Sequence, residues 1–260
     1  MSRALRNLLL ILTFSLSSLP FFAKGEESST TGLGFPQQEV VTYESDGLTL
    51  KAYLYKPEGK GPFPAYIWNH GSEKNPSDGR RLAKFWTDHG FVFFAPIRSG
   101  HGDNPGDYIG DEQKEIKQAF GRRKRFAFQE VAKLHERAND DVAAAFLRLK
   151  KQTFVDPNRI VVAGGSFGGI QTVLLAERDA RQNLGVKCFV AMSPAAMSWS
   201  PGWSTRLSQA VRNSKAPIFL LQAQNDYNLG PSEVLGPQVD AKGFPSRHKI
   251  FPTHVMPGGD

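Results

Sequence analysis

The sequence predicts an α/β fold, a mostly parallel sheet flanked by helices with an antiparallel hairpin at its N-terminal edge. Three observations lead there. Short apolar runs of strand length alternate with longer amphipathic runs along most of the chain, the pattern of a parallel sheet covered on both faces. Val40–Tyr43 and Leu48–Tyr55 flank the turn residues Ser45-Asp46-Gly47, which reads as a hairpin. Finally, Arg159-Ile160-Val161-Val162-Ala163 runs straight into Gly164-Gly165-Ser166-Phe167-Gly168 and then into the helix-forming run Gln171–Glu177. That is strand, sharp turn and helix, with a serine at the apex.

Taken in order, the chain opens with an export signal. Arg3 and Arg6 precede the apolar stretch Leu8–Leu19, and Ala23-Lys24-Gly25 offers small residues for a cut after Gly25. The apolar stretch is short for a membrane span, so a secreted or periplasmic protein without stable membrane insertion is expected. Residues 26–37 form a flexible lead-in, and residues 38–260 one domain. After the hairpin come a buried strand at Ala65–Trp68, a helix from about Asp78 to Asp88 closed by Gly90, and a second buried strand at Phe91–Ala95. A polar segment, Pro96–Glu112, leads into helical sequence that reaches Lys151 and that Gly121 is placed to divide. Beyond the serine, strands are expected at Lys187–Met192, Ile218–Gln222 and Lys249–Phe251.

Composition narrows the function. The net charge is +7, and removal of residues 1–25 takes away three cations and no acid, leaving +4. That mild balance makes no case for nucleic acid. The single cysteine, Cys188, lies in an apolar run and reads as a core residue, so no internal disulfide is expected. No His, Cys and carboxylate cluster has metal-ligand spacing, and neither metal nor cofactor is expected.

The chemistry centres on Ser166. Gly164-Gly165-Ser166-Phe167-Gly168 is a G-x-S-x-G elbow, in which Gly164 and Gly168 leave room for the turn. A serine hydroxyl needs a histidine base, and the histidine an orienting acid, in the chain order serine, acid, histidine. Asp226 follows the Ile218–Gln222 strand and is the candidate acid, an aspartate capping its own turn being the alternative reading. Asp156 and Asp240 are not placed at a strand end. Of the two later histidines, His248 precedes the last strand and His254 follows it, so His254 is the in-chain candidate for the base. The oxyanion donors are expected from the amide of Phe167 and from that of Gly71 or Ser72. His70 reads better as a structural hydrogen-bonding residue than as a catalytic one.

These residues resemble the α/β-hydrolases of the dienelactone hydrolase and prolyl oligopeptidase-like branch. The likeness is carried by Asn69-His70-Gly71-Ser72, Pro96–Gly102, Asp140-Asp141-Val142, Val155–Ile160, Gly164–Gly169 and Ala216–Asp226, and covers about residues 40–260. It implies the α/β-hydrolase fold, Ser166 as nucleophile and Asp226 as acid. Dienelactone hydrolases proper use cysteine at the elbow, so serine points away from lactone chemistry. The family's histidine follows a Gly/Asp-rich loop that Gly258-Gly259-Asp260 matches, which puts the base at His254 or beyond Asp260 and implies a C-terminal end cut short.

The expected activity is therefore an exported serine hydrolase cleaving a carboxylic ester through an acyl-enzyme. A serine exopeptidase of prolyl oligopeptidase type stands beside it, as does an inactive or truncated hydrolase-fold domain that only binds a ligand. The substrate in the first two cases is a small ester or peptide. Trp199 and Trp203 are expected at the pocket rim or packed in a short cap. Arg122-Arg123-Lys124-Arg125 reads as a solvated helix face or a contact for anionic lipid or polymer.

Overall fold

The computed structural model describes residues 34–253. The export segment, residues 26–33 of the lead-in and His254 lie outside them. The elements in chain order are β1 (Gln38–Ser45), β2 (Leu48–Tyr55), β3 (Phe63–Asn69), α1 (Arg80–Asp88), β4 (Val92–Pro96), α2 (Ile109–Phe120), α3 (Lys124–Lys150) and β5 (Val155–Gly165). They continue with α4 (Phe167–Gln182), β6 (Cys188–Met192), a 3-10 turn (Ala196–Ser198), α5 (Pro201–Asn213), β7 (Ile218–Ala223), α6 (Gly230–Asp240) and β8 (Arg247–Phe251).

The strands form one eight-stranded sheet in the order β1-β2-β4-β3-β5-β6-β7-β8. From β4 to β8 all neighbours are parallel; β2 runs against both β1 and β4. The β1–β2 turn has two residues, Asp46 (φ 45°) and Gly47 (φ 74°), the left-handed pair that matches the twist of a tight hairpin.

Strands buried on both faces need no polar alternation, and β4 is buried at every position. One face of the sheet presents Ile67, Phe94, Val162, Phe189 and Leu220 to a core shared with Phe146 of α3, Leu174 of α4, Leu207 of α5 and Leu235 of α6. On the other face Tyr66 of β3 stacks on Trp86 of α1, the ring centroids 3.8 Å apart. Cys188 is fully buried at the start of β6, and burial pushes its thiol up to about 12.

Several boundaries differ from expectation; β8 begins at Arg247, so His248 lies within the last strand rather than before it. Asp78 stands outside α1, where its carboxylate accepts the Arg80 amide at 3.0 Å; the aspartate's own backbone bonding competes with helix entry. Pro201–Asn213, which sequence reading offered at most as a short cap, is a 13-residue helix. Ser200 caps it by accepting the Trp203 amide, and Pro201 occupies the first helical position, where its missing N–H costs nothing. Gly121, with φ 51°, does separate α2 from α3.

The contact that positions the site lies between the elbow and the end of β3. A Cβ on Gly168 would run into the Asn69 carbonyl oxygen and come within 2.7 Å of that of His70; a Cβ on Gly164 would stand 2.5 Å from the Gly168 backbone. Below them the Asn69 side-chain amide donates to Thr172 Oγ1 at 3.2 Å, and that hydroxyl donates to the Gly168 carbonyl at 2.8 Å. Gly168→Ala is expected to cost about 3 kcal/mol or more in urea unfolding, since backbone must move. Gly243→Ala, at φ 72° in open space, should cost only about 1–2 kcal/mol.

Candidate active site

Ser166 sits at φ 54°, ψ −114°, a conformation costing a side-chain-bearing residue about 1–3 kcal/mol. Its amide is held by the Met192 carbonyl at 2.9 Å, and its own carbonyl accepts the Ile170 amide at 3.1 Å. The serine is half-buried, and it opens onto a cavity of about 600 Å³ at the carboxyl end of the sheet. The loop after β6, which forms part of the same wall, is strained as well, with Ser193 at φ 48° and Ala195 at φ 61°. Clustered outliers of this kind mark places where the surrounding fold dictates the backbone.

Ser72 and Phe167 line the cavity with Ser166. Phe167 is the first residue of α4, whose first turn has no intrahelical acceptor for its amides and carries no acidic side chain. The amides of Phe167, Gly71 and Ser72 have no protein acceptor among the described residues. Of the pair Gly71 and Ser72, Ser72 is the one that faces the cavity.

Beneath this loop lies Arg98, only 1% exposed. Its guanidinium donates to the His70 carbonyl at 2.9 Å and to the Gly71 carbonyl at 2.6 Å, and stacks 4.5 Å from the centre of the Phe167 ring. In a planar trans peptide the C=O and the following N–H point in opposite directions. By drawing those two carbonyls inward, Arg98 turns the amides of Gly71 and Ser72 away from itself. Burial pulls its pKa down to about 9, so it remains a cation at neutral pH.

His70 is a structural member of this cluster. The Arg98 amide can only donate, so His70 Nε2, 3.2 Å away, accepts it, while Nδ1 lies 3.0 Å from the Gly71 carbonyl and 2.9 Å from an Arg98 guanidinium nitrogen. Burial, reinforced by Arg98 and His101, holds its pKa well below the usual range. His101 packs edge-on against His70 and Tyr108, and burial beside Arg98 lowers it to about 4. His135 of α3 stacks on Phe167 with centroids 4.3 Å apart and meets Trp203 edge-on; burial, then Arg98, lowers it to about 3.

Asp226 follows β7 at the same end of the sheet as Ser166. Its carboxylate accepts from Gln222 Nε2 at 2.9 Å and from the Tyr227 amide at 2.8 Å. β8 runs parallel to β7 with Phe251 opposite Ala223, so the chain leaves β8 beside the loop that carries Asp226. His254 lies outside the described residues. His248 points back onto α6, bonding Asp240 through its amide at 2.9 Å and closing over Gly236. None of the five described histidines hydrogen-bonds the Ser166 hydroxyl: besides the cluster above, His89 bonds the Phe85 carbonyl. The two tryptophans separate. Trp203 lines the cavity, whereas Trp199 does not, because it packs against Gly230 at the start of α6.

A serine at a strained strand-to-helix turn, in a sheet of this order and sense, is the arrangement of one superfamily. The chain has the α/β-hydrolase fold. The model of the Prolyl oligopeptidase family matches residues 121–198. An uncharacterized peptidase of Bacillus subtilis (strain 168), YtmA, is 24% identical over 207 residues, covering 75% of this chain and 77% of YtmA. Among solved structures, dipeptidyl peptidase 4 of Porphyromonas gingivalis superposes with a TM-score of 0.62 at 16% identity, over 84% of the hydrolase and 32% of the peptidase. The esterase Est22 gives 0.63 at 13% identity, over 83% of the hydrolase and 70% of the esterase. The hydrolase thus spans about a third of the length of the dipeptidyl peptidase. Together the sequence matches support the prolyl oligopeptidase-like branch and a serine hydrolase.

Sequence reasoning missed Tyr108, His135 and Phe128 in the cavity wall of this hydrolase. Nothing marks a single histidine inside a long helix as facing a site. Arg98 stood in a motif, but its role becomes legible only when its carbonyl partners are seen. The three buried histidines predict a pH dependence. Each is protonated in the unfolded chain below about 6.5 and resists protonation in the fold, so their stability is present above that pH. It is lost as pH falls through about 4 for His101 and toward about 3 for His135. Urea titrations between about pH 6 and 4 should show His135→Gln lowering the slope of stability against pH by about 1 kcal/mol per unit; an unchanged slope would count against a neutral His135.

Proposed function

We propose that the hydrolase cleaves a carboxylic ester through an acyl-enzyme on Ser166. The observation that carries this reading is the half-buried, strained Ser166 opening on a large cavity beside the unpaired amides of Phe167 and Ser72. In this mechanism the Ser166 hydroxyl attacks the ester carbonyl while a histidine takes its proton. The oxygen that becomes anionic is held by the Phe167 amide and that of Ser72 or Gly71, the α4 N-terminus adding a favourable dipole. The histidine then protonates the departing alcohol, and water releases the acyl group by the same steps in reverse. We assign orientation of the histidine to Asp226 and the base itself to the loop after β8, where His254 stands. The register of β8 beside β7 supports that pairing, because it brings the loop out next to Asp226.

Peptide bonds are the second reading. It is favoured by the Prolyl oligopeptidase match and by the peptidase name of the Bacillus relative. The esterase name of Est22 and the lack, among the described residues, of a carboxylate on the cavity wall that would anchor a peptide N-terminus favour the ester. We further infer that residues 1–25 direct export, so the exported protein should begin at Glu26 on N-terminal sequencing.

A neutral fluorophosphonate should label the wild-type chain, and Ser166→Ala should abolish labelling. Turnover of p-nitrophenyl esters should fall at least about 10³-fold in Ser166→Ala and about 10²–10⁴-fold in Asp226→Asn. Faster hydrolysis of aminoacyl anilides than of esters would select the peptidase reading, and an unlabelled wild type the binding domain.

A further inference from the structure

We infer that the group filling the cavity beside Ser166 is apolar along its length and ends in a carboxylate, making the substrate an ester that retains a free acid. The inference takes its reaction from the serine-hydrolase reading, but the charge preference of the cavity can be measured without turnover. The apolar wall comes from Ile109 of α2, Phe128 and Val131 of α3, Ile170 of α4 and Trp203 of α5. Among the described residues, no aspartate or glutamate lines the cavity. Its titratable side chains are Tyr108, Lys117, Lys124 and His135, and the last is held neutral by burial. The formal charge of the wall is therefore +2, from two ammonium groups on either side of Gly121.

These lysines are not explained by pairing within the fold. Lys51, Lys56, Lys74, Lys84 and Lys133 each meet a carboxylate, whereas Lys117 and Lys124, like Lys60, Lys114 and several other lysines, meet none among the described residues. Helix electrostatics explain only one of them. Lys117 suits the last turn of α2, but Lys124 and Arg125 occupy the first turn of α3, which holds no acidic residue. Cations there oppose the helix dipole at about 0.3–1 kcal/mol each. An apolar cavity whose described lining carries two cations and no acid repels a substrate ammonium and attracts a carboxylate attached to an apolar chain. Such a ligand gains from burial of its carbon skeleton and keeps its charge at the exposed lysines, where desolvation is small.

Calorimetric titration of the full chain with 4-phenylbutyrate, 4-phenylbutanol and 4-phenylbutylamine tests this at low salt. The carboxylate should bind about 10-fold tighter than the alcohol, and the amine weakest. The gap should shrink as salt rises from about 0.02 M to about 0.3 M. The pair Lys117→Glu and Lys124→Glu should invert the order, and Lys117→Gln with Lys124→Gln should level it if the reversed pair does not fold. Lys114→Glu, exposed on the same helix but away from the cavity wall, should leave it intact. Equal or tighter binding of the alcohol or amine, or no binding of the carboxylate, overturns the inference. Fluorophosphonate labelling separates the two readings. A chain that binds the carboxylate but resists labelling loses the hydrolase reading and keeps this one; a labelled chain without the charge preference does the reverse.

Discussion

The oxygen of Asn69 lies so close to Gly168 that no side chain fits between them, and much of the site follows from that approach. It brings the end of β3 against the first turn of α4, so the loop after β3 meets the amides that open the helix. The strained turn at Ser166 is tolerated because both of its flanks are fixed, β5 within the parallel sheet and α4 within the core. The penalty at one residue, about 1–3 kcal/mol, is small beside the packing of Ile170, Val173, Leu174 and Leu175 that anchors the helix.

A buried cation is the electrostatic counterpart of this steric arrangement. Arg98 finds no carboxylate within ion-pair distance among the described residues; its partners are two carbonyls, the His70 ring and an aromatic face. Three histidines around it, His70, His101 and His135, are pushed toward the neutral form chiefly by burial and further by the guanidinium. That leaves the Arg98 guanidinium as the cation under the amides of Phe167 and Ser72, with the carboxylates of Asp141 and Glu73 close enough to favour its charged form. It also makes these histidines poor bases at neutral pH, since a base works best with a pKa near the working pH. Lys117 and Lys124 add two further cations on the cavity wall.

The fold was largely legible because parallel strands buried on both faces are read directly from apolar runs, as in Phe91–Ala95, and because turn chemistry marks their ends. Asp46-Gly47, Gly90 and Gly121 each fell where a left-handed backbone is required. Pro201–Asn213 was harder, since its apolar residues Trp203, Leu207 and Val211 are spaced among polar ones and only Ser200-Pro201 signals a start. The elbow was legible in the site for a similar reason: its requirement is local, two glycines within two residues of a serine. Of the cavity wall beyond the elbow and Ser72 only Trp203 was, because Tyr108, His135 and Ala195 come from three further segments with no shared motif.

What the sequence alone determined is whatever depends on neighbours in the chain: the alternation of strand and helix, the tight turn at Ser166, the aspartate just after β7. The tertiary structure decided everything that depends on partners distant in the chain. It made His70 a hydrogen-bonded prop, set Trp203 on the cavity and Trp199 off it, and paired Arg98 with carbonyls 27 and 28 positions away. The physical reason is that a backbone conformation is selected by sterics within a few residues, whereas burial, charge and cavity shape exist only after distant segments have packed together.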